Sequence, residues 1–256
     1  MDLGLKGSVV MVAAGSKGIG RAAVELFRAE GAQVSFCARG HESVKAVAEA
    51  TGATGYVADV TSADSLAEWH AATVRDLGAP SVVVTNTGGP PAGRLADMTE
   101  DQWRAGIDST VFNVLRLAAL TVPAMREAKF GRLIHVTSLV AREPSSILPI
   151  SSTLRAGLIA LTKLQADEFA ADGVTVNSVL PGHTLTDRQV QLAEMVSTQR
   201  QISVEDALKL QADHSPMGRL AQPHEIAAAI VFLASRSAGF ITGQSLVVDG
   251  GANRGL

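Results

Sequence analysis

Tyrosine is nearly missing from this chain. Among 256 residues there is one, Tyr56, and aromatic residues make up only 4%. Any chemistry that needs a phenolic proton donor therefore has a single residue to draw on. Cysteine is as scarce: Cys37 stands alone, which excludes an internal disulfide, and its place in the apolar run 34–37 points to a buried thiol in a reducing compartment. Excess charge of one sign is lacking too. Lys+Arg 22 against Asp+Glu 25 gives a net charge of −3, without the polycationic surface that nucleic acid binding requires. No run of about 18 apolar residues occurs that could span a bilayer, and residues 1–6 lack a basic-then-apolar signal pattern. A cytoplasmic protein with no nucleic acid and no membrane as partner is expected. No two histidines have metal-ligand spacing, and Asp97, Glu100 and Asp101 read as a helix start after Thr99, so no metal is predicted.

What is present is a rhythm. Short β-branched apolar runs at 8–13, 33–37, 55–58, 81–85, 132–137, 174–179 and 245–248 alternate with stretches of helical periodicity at 19–30, 62–77, 99–128, 151–171 and 224–234. Runs such as Val82-Val83-Val84 are apolar on consecutive residues, as strands covered by helices on both faces require. The pattern predicts an α/β fold: one doubly wound, Rossmann-type domain over 1–256, with a seven-stranded parallel sheet and helices on both faces. Segment 185–216 breaks the rhythm with two weak amphipathic patterns near 188–199 and 204–213. Ligands in such sheets sit beyond the strand carboxyl ends, so this segment is expected to be a substrate lid.

Ala13-Ala14-Gly15-Ser16-Lys17-Gly18-Ile19-Gly20 follows the first strand and opens the first helix. Free N–H groups at a helix N-terminus accept a pyrophosphate in this context. Near the end of the next strand, where an acidic residue would bind a ribose 2′-hydroxyl, stand Ala38 and then Arg39. Arg39 and Lys17 are cations that could reach a 2′-phosphate, so NADP(H) is expected over NAD(H).

These motifs resemble those of the short-chain dehydrogenase/reductase family, in particular its 3-oxoacyl-(acyl-carrier-protein) reductase branch, nearly end to end. The likeness is carried by the glycine loop at 13–20, Asp59-Val60, Asn86-Thr87-Gly88-Gly89, Ser138, Pro181-Gly182, and Ile241-Thr242-Gly243-Gln244 leading to Val248-Asp249-Gly250-Gly251. The resemblance implies that Gly15, Ser16, Lys17, Gly18 and Ile19 cradle the cofactor. It places adenine at Asp59 and Val60, the cofactor ribose at Asn86, Thr87 and Gly88, and the nicotinamide end at Pro181, Gly182, Thr184 and Thr186. The loop departs in having Ala14 where the family usually has its first glycine; Gly15 is expected to restore the flexibility. A homotetramer or homodimer is implied, built on the helix 151–171 with its small-residue strip Ala156, Gly157 and Ala160.

In this family a serine polarises the substrate carbonyl, a tyrosine passes the proton, a lysine four residues on lowers the tyrosine pKa and binds the ribose, and an asparagine holds a water relay. Ser138 is present. The tyrosine position is Ser151, the lysine position is Arg155, and the asparagine position falls on Thr110. A hydroxyl is a much poorer acid than a phenol of pKa about 10, and an arginine with pKa above about 12 does not exchange a proton at neutral pH. Ser138, Ser151 and Arg155 are the expected catalytic residues of an NADP(H)-dependent oxidoreductase acting on a carbonyl or alcohol substrate, slowed by the altered relay. The alternative is a non-catalytic NADP(H)-binding protein, a sensor or assembly partner. His183, beside Pro181-Gly182, is a weaker candidate for a titrating group, whereas His135 reads as a satisfied core histidine and Lys163 as a surface lysine.

Overall fold

The computed structural model of the protein describes residues 2–255. Seven parallel strands form one sheet: β1 (Val9–Val12), β2 (Gln33–Ala38), β3 (Thr54–Val57), β4 (Val82–Thr85), β5 (Gly131–Val136), β6 (Val174–Pro181) and β7 (Ser245–Val248), in the order β3-β2-β1-β4-β5-β6-β7. The run of strand order reverses between β1 and β4. Loops leaving the carboxyl ends of these neighbours diverge there and open a crevice.

Alternation along β1 shows why both faces must be covered. Val10 and Val12 enter one core with Ala23, Val24 and Phe27 of α1 (Gly18–Ala29), Val44 and Val47 of α2 (His41–Thr51), and Ile226 and Ile230 of a C-terminal helix, Pro223–Ala234. Met11 and Ala13 enter the other. That second core holds Leu66 and Trp69 of α3 (Ala63–Leu77), Leu117, Val122 and Met125 of α5 (Asn113–Glu127), and Ala166 and Phe169 of α6 (Pro149–Phe169). The period of two sends successive side chains to opposite faces, so a strand buried on both reads as a continuous apolar run. The helix α2 was not foreseen from the sequence, since only Val44 and Val47 of its residues are buried.

The helix start predicted at Thr99 is an N-cap with a full capping box: Gln102 N donates to Thr99 Oγ1, and Thr99 N donates to Gln102 Oε1. It opens α4 (Glu100–Ile107), which continues through a π turn at Asp108–Phe112 into α5. By length and composition Glu100–Glu127 is apolar enough to cross a bilayer. Here its apolar stripe is spent on the sheet, while Arg116 pairs with Asp108 and Arg126 with Asp172. After β6 come α7 (Asp187–Arg200) and α8 (Val204–Ala212), close to the expected amphipathic segments, and then α9, the helix Pro223–Ala234.

Candidate active site

The glycine loop is shaped by close approaches. A Cβ at Gly15 would lie 2.8 Å from Phe36 Cβ, and one at Gly20 would collide with Ala14 O and come 2.8 Å from Asn86 Nδ2. Gly18 has φ +52 and faces Thr186, whose Cγ2 would be 3.0 Å from an added Cβ. The expectation for Ala14 needs correcting. Ala14 itself takes the left-handed conformation, φ +49, and Gly15 is required for its lack of a side chain against Phe36.

Several segments meet around this loop. Asn86 Nδ2 donates to Ala14 O at 3.5 Å, and Asn86 O accepts from Asn113 Nδ2 at 3.2 Å, which ties the β1 and β4 loops to α5. Thr87 and Gly88 follow, and a Cβ at Gly88 would meet nothing within 4 Å. Asp59 folds its own turn: Oδ1 accepts from Thr61 N and Thr61 Oγ1 at 2.9 and 2.8 Å, beside partly buried Val60. Pro181 ends β6, and Gly182 lies so near β7 that a Cβ would be 2.7 Å from Asp249 Cβ. Thr184 Oγ1 donates to Gly182 O at 3.0 Å, and Thr186 caps α7 by accepting from Gln189 N at 3.3 Å. Ser16 and Ile19 complete the loop. Arg39 is exposed just past β2 and makes no hydrogen bond among the described residues. Lys17 instead donates from Nζ to Asp187 Oδ2 at 2.9 Å, with side chains 70% and 69% exposed. An ion pair so wet is weak enough for Lys17 to exchange partners.

At the carboxyl end of β5, Ser138 Oγ accepts from Val140 N at 3.3 Å and keeps its proton available. Arg155 is only 6% exposed. Its Nε donates to Ser151 Oγ at 3.1 Å, and its Nη1 donates to Val136 O and Thr137 O at 2.9 and 2.7 Å. The i to i+4 spacing on α6 thus joins residues 151 and 155, and the guanidinium is pinned to the strand end that carries Ser138. Three of its five N–H groups are used within the fold; the two on Nη2 remain. Burial, and then the neighbouring Arg188, push the Arg155 pKa down to about 10, which leaves it a cation at neutral pH. Ser151 Oγ accepts from Arg155, so its own hydroxyl proton is free to donate.

Behind this pair lies a cavity of about 10 Å³, room for one water, lined by Thr85, Asn86, Thr110, Asn113 and Arg155 among others. Thr110 Oγ1 and Asn113 Oδ1 are buried there without a partner. Spacing along the sequence selects Thr110 alone; beyond the π turn, Asn113, three residues on, lines the same cavity. π turns inside helices occur often at functional sites.

The remaining candidates sort by geometry. His135 is wholly buried, with Nδ1 2.9 Å from Thr85 Oγ1 and Nε2 2.9 Å from Gln165 Oε1, and burial lowers its pKa to about 4. It is a satisfied core histidine. His183 Nδ1 accepts from Gln189 Nε2 at 3.0 Å, and its ring stands edge-on to His214 with centroids 5.5 Å apart. Burial, then His214, lowers its pKa, so it is neutral at pH 7. Tyr56 sits on β3, four strands from β5, or roughly 19 Å at about 4.8 Å per strand. It is committed to Asp76 at 2.7 Å. Lys163 is exposed and paired with Asp167. Buried Cys37 has its thiol pKa pushed up to about 12. Among the described residues no cluster of three or more His, Cys, Asp or Glu is placed to hold a metal.

A crevice at a strand-order reversal, lined by a glycine loop and overlooked by Ser138, defines a class, the dinucleotide-binding α/β oxidoreductases. Residues 13–253 match the family profile described as Enoyl-(Acyl carrier protein) reductase. The acetoacetyl-CoA reductase of Shinella zoogloeoides is 34% identical, covering 95% of this chain and 97% of its own. The 3-oxoacyl-(acyl-carrier-protein) reductase of Vibrio harveyi is 34% identical over 97% and 98%. In structure, the L-sorbose reductase of Gluconobacter frateurii, solved with NADPH and L-sorbose, superposes with a TM-score of 0.93 at 30% identity over 100% of both chains. The chain belongs to the short-chain dehydrogenase/reductase family, in the branch of the 3-oxoacyl-(acyl-carrier-protein) reductases.

Proposed function

We propose that the protein is an NADP(H)-dependent oxidoreductase that moves a hydride to or from a carbonyl or alcohol substrate, with two serines and an arginine standing where the family's proton relay is expected. The observation that carries this is the joint presence of the glycine cradle and of a buried Arg155 hydrogen-bonded to Ser151 and to the strand end that carries Ser138. The cradle fits a dinucleotide: Gly18 at positive φ, Gly20 tight on Asn86, and open space over Gly88 leave room where side chains would intrude. When bound, the nicotinamide supplies the hydride. Gly15, Ser16, Gly18 and Ile19 would hold the pyrophosphate, with Lys17 in the same loop within reach of the 2′-phosphate, Asp59 and Val60 the adenine, and Asn86, Thr87 and Gly88 the ribose. Pro181, Gly182, Thr184 and Thr186 would meet the nicotinamide end. Exposed Arg39 would take the 2′-phosphate.

Ser138 and Ser151 each have a hydroxyl proton free for a substrate oxygen, and Arg155 Nη2 can serve the nicotinamide ribose. General acid catalysis is worth about 10²–10⁴-fold, so a site without a positioned phenol runs slower by a factor of that order. Segment 185–216 acts as the substrate lid, held to the glycine loop through Lys17–Asp187 and to residue 90 through Arg188, whose Nη2 donates to Pro90 O at 2.7 Å. Ala156, Gly157 and Ala160 lie exposed on α6 with Leu164, 66% exposed, and form the face for a homotetramer or homodimer, a mass that light scattering reads directly. The partners are a small-molecule substrate and further copies of this chain, in the cytoplasm.

The competing reading, a non-catalytic NADP(H)-binding protein, is favoured by one observation, that Arg155 is held by three internal hydrogen bonds and cannot yield its proton. Fluorescence titration of NADPH against NADH tests the common part. NADPH should bind at least tenfold tighter, and Arg39→Ala should abolish that preference while sparing NADH. Equal affinity of the wild type for both would refute the assignment of Arg39.

A further inference from the structure

Two arginines lie against the loop after β4, and among the described residues neither is paired with an acid. Arg155 is nine-tenths buried and has one terminal nitrogen, Nη2, without a hydrogen-bond partner among the described residues. Arg188, half-buried on the first turn of the lid helix α7, makes one hydrogen bond, to Pro90 O. Among the described residues neither has a carboxylate within 4.0 Å, whereas Lys17, Arg104, Arg116, Arg126 and Arg219 all do. Both lie against one short stretch of the loop after β4. Arg155 Nη2 is 3.8 Å from where a Cβ at Gly89 would stand, and Arg188 contacts the next residue, Pro90.

Like charges brought together out of water destabilise one another unless an anion joins them. Gly89, at φ +82, keeps side-chain atoms off the face of Nη2. A guanidinium presents paired N–H donors in the geometry of a carboxylate, a match that an ammonium lacks.

We infer that the substrate carries a carboxylate close to its reacting carbon, and that Arg155 Nη2 and Arg188 receive this group between them when α7 is closed. The inference rests on the proposed oxidoreductase reading and narrows its substrate class from carbonyl compounds in general to oxo acids or hydroxy acids. It also gives the exchange of lysine for arginine a use: Nη2 has two N–H groups, one for a ribose hydroxyl and one for the carboxylate. Arg188 acts as a specificity residue. Its position on the lid makes the anion a bridge between lid and sheet.

Calorimetric titration of the NADP⁺ complex with pyruvate, acetoacetate, levulinate and 2-oxoglutarate, each against its methyl ester, tests this. At least one acid should bind tenfold or more tighter than its ester. Arg188→Gln should remove that advantage and Arg188→Lys should retain part of it, both leaving NADP⁺ affinity within about twofold. Equal binding of every acid and ester to the wild type overturns the inference without needing any variant to fold. An Arg188→Gln protein that loses NADP⁺ affinity by the same factor as acid affinity also overturns it, because the anion served is then a cofactor phosphate. If NADP⁺ itself fails to bind, the oxidoreductase reading falls separately, and the acid-against-ester comparison is read on the free protein.

Discussion

By the family resemblance a lysine belongs where Arg155 stands, and the consequences of an arginine there run in opposite directions. A guanidinium stays charged across the whole physiological range, even with burial and Arg188 bringing its pKa down to about 10. It therefore orients groups well and exchanges protons poorly. Ser151 is suited to such a neighbour, since a small hydroxyl can accept from Arg155 Nε and still donate its own proton. Ala14 is a second residue with a definite cost. At φ +49 an alanine pays for left-handed backbone that a glycine adopts freely, a penalty of about 1–2 kcal/mol, partly offset by the greater unfolded-state entropy of glycine. Ala14→Gly should raise stability by up to about 1 kcal/mol in urea denaturation. A loss of stability would show that the methyl group contributes packing that outweighs the strain.

At the scale of elements, His135 shows how β4, β5 and α6 are bound together. It sits on β5, with Thr85 of β4 on one ring nitrogen and Gln165 of α6 on the other. Burial lowers its pKa from 6.5 to about 4, so the unfolded chain takes up the proton first as pH falls. The contribution of neutral His135 is complete above pH 6.5 and is lost between there and pH 4, by roughly 3 kcal/mol. Urea midpoints at pH 7, 5 and 4 should fall steeply for the wild type and clearly less for His135→Gln. Parallel slopes for the two proteins would place the acid sensitivity elsewhere.

The helix 100–127 carries a different lesson. Its start at Thr99 was plain in the sequence because a capping box has a local signature. Its π turn was not, and so Thr110 was read where Asn113 also reaches the cavity. The one-residue slip of a π turn is imposed by packing, and no periodicity announces it.

Across the whole molecule, legibility followed the range of the interaction. Strands buried on both faces spell themselves out as apolar runs, and the glycine loop is legible because close backbone approach admits no other residue at Gly20. Pairings set by tertiary contact were hidden. Lys17 faces Asp187, 170 residues away, and Arg188 lies 98 residues from its acceptor Pro90. Nothing local marks Arg188 as part of the site, and only the fold brings it beside Arg155. The single tyrosine was countable in the sequence, and the fold sets Tyr56 on β3, four strands from β5.

The central claim is that hydride transfer survives the loss of the phenol. Incubation of the protein with 4-deuterated NADPH of either stereochemistry and a panel of oxo acids and ketones, followed by mass analysis of the alcohols, measures it directly. The account predicts slow but enzyme-dependent deuterium transfer to at least one product, reduced about 10²-fold or more in Ser138→Ala. Tight NADPH binding with no deuterium in any product would contradict it and leave the non-catalytic reading in its place.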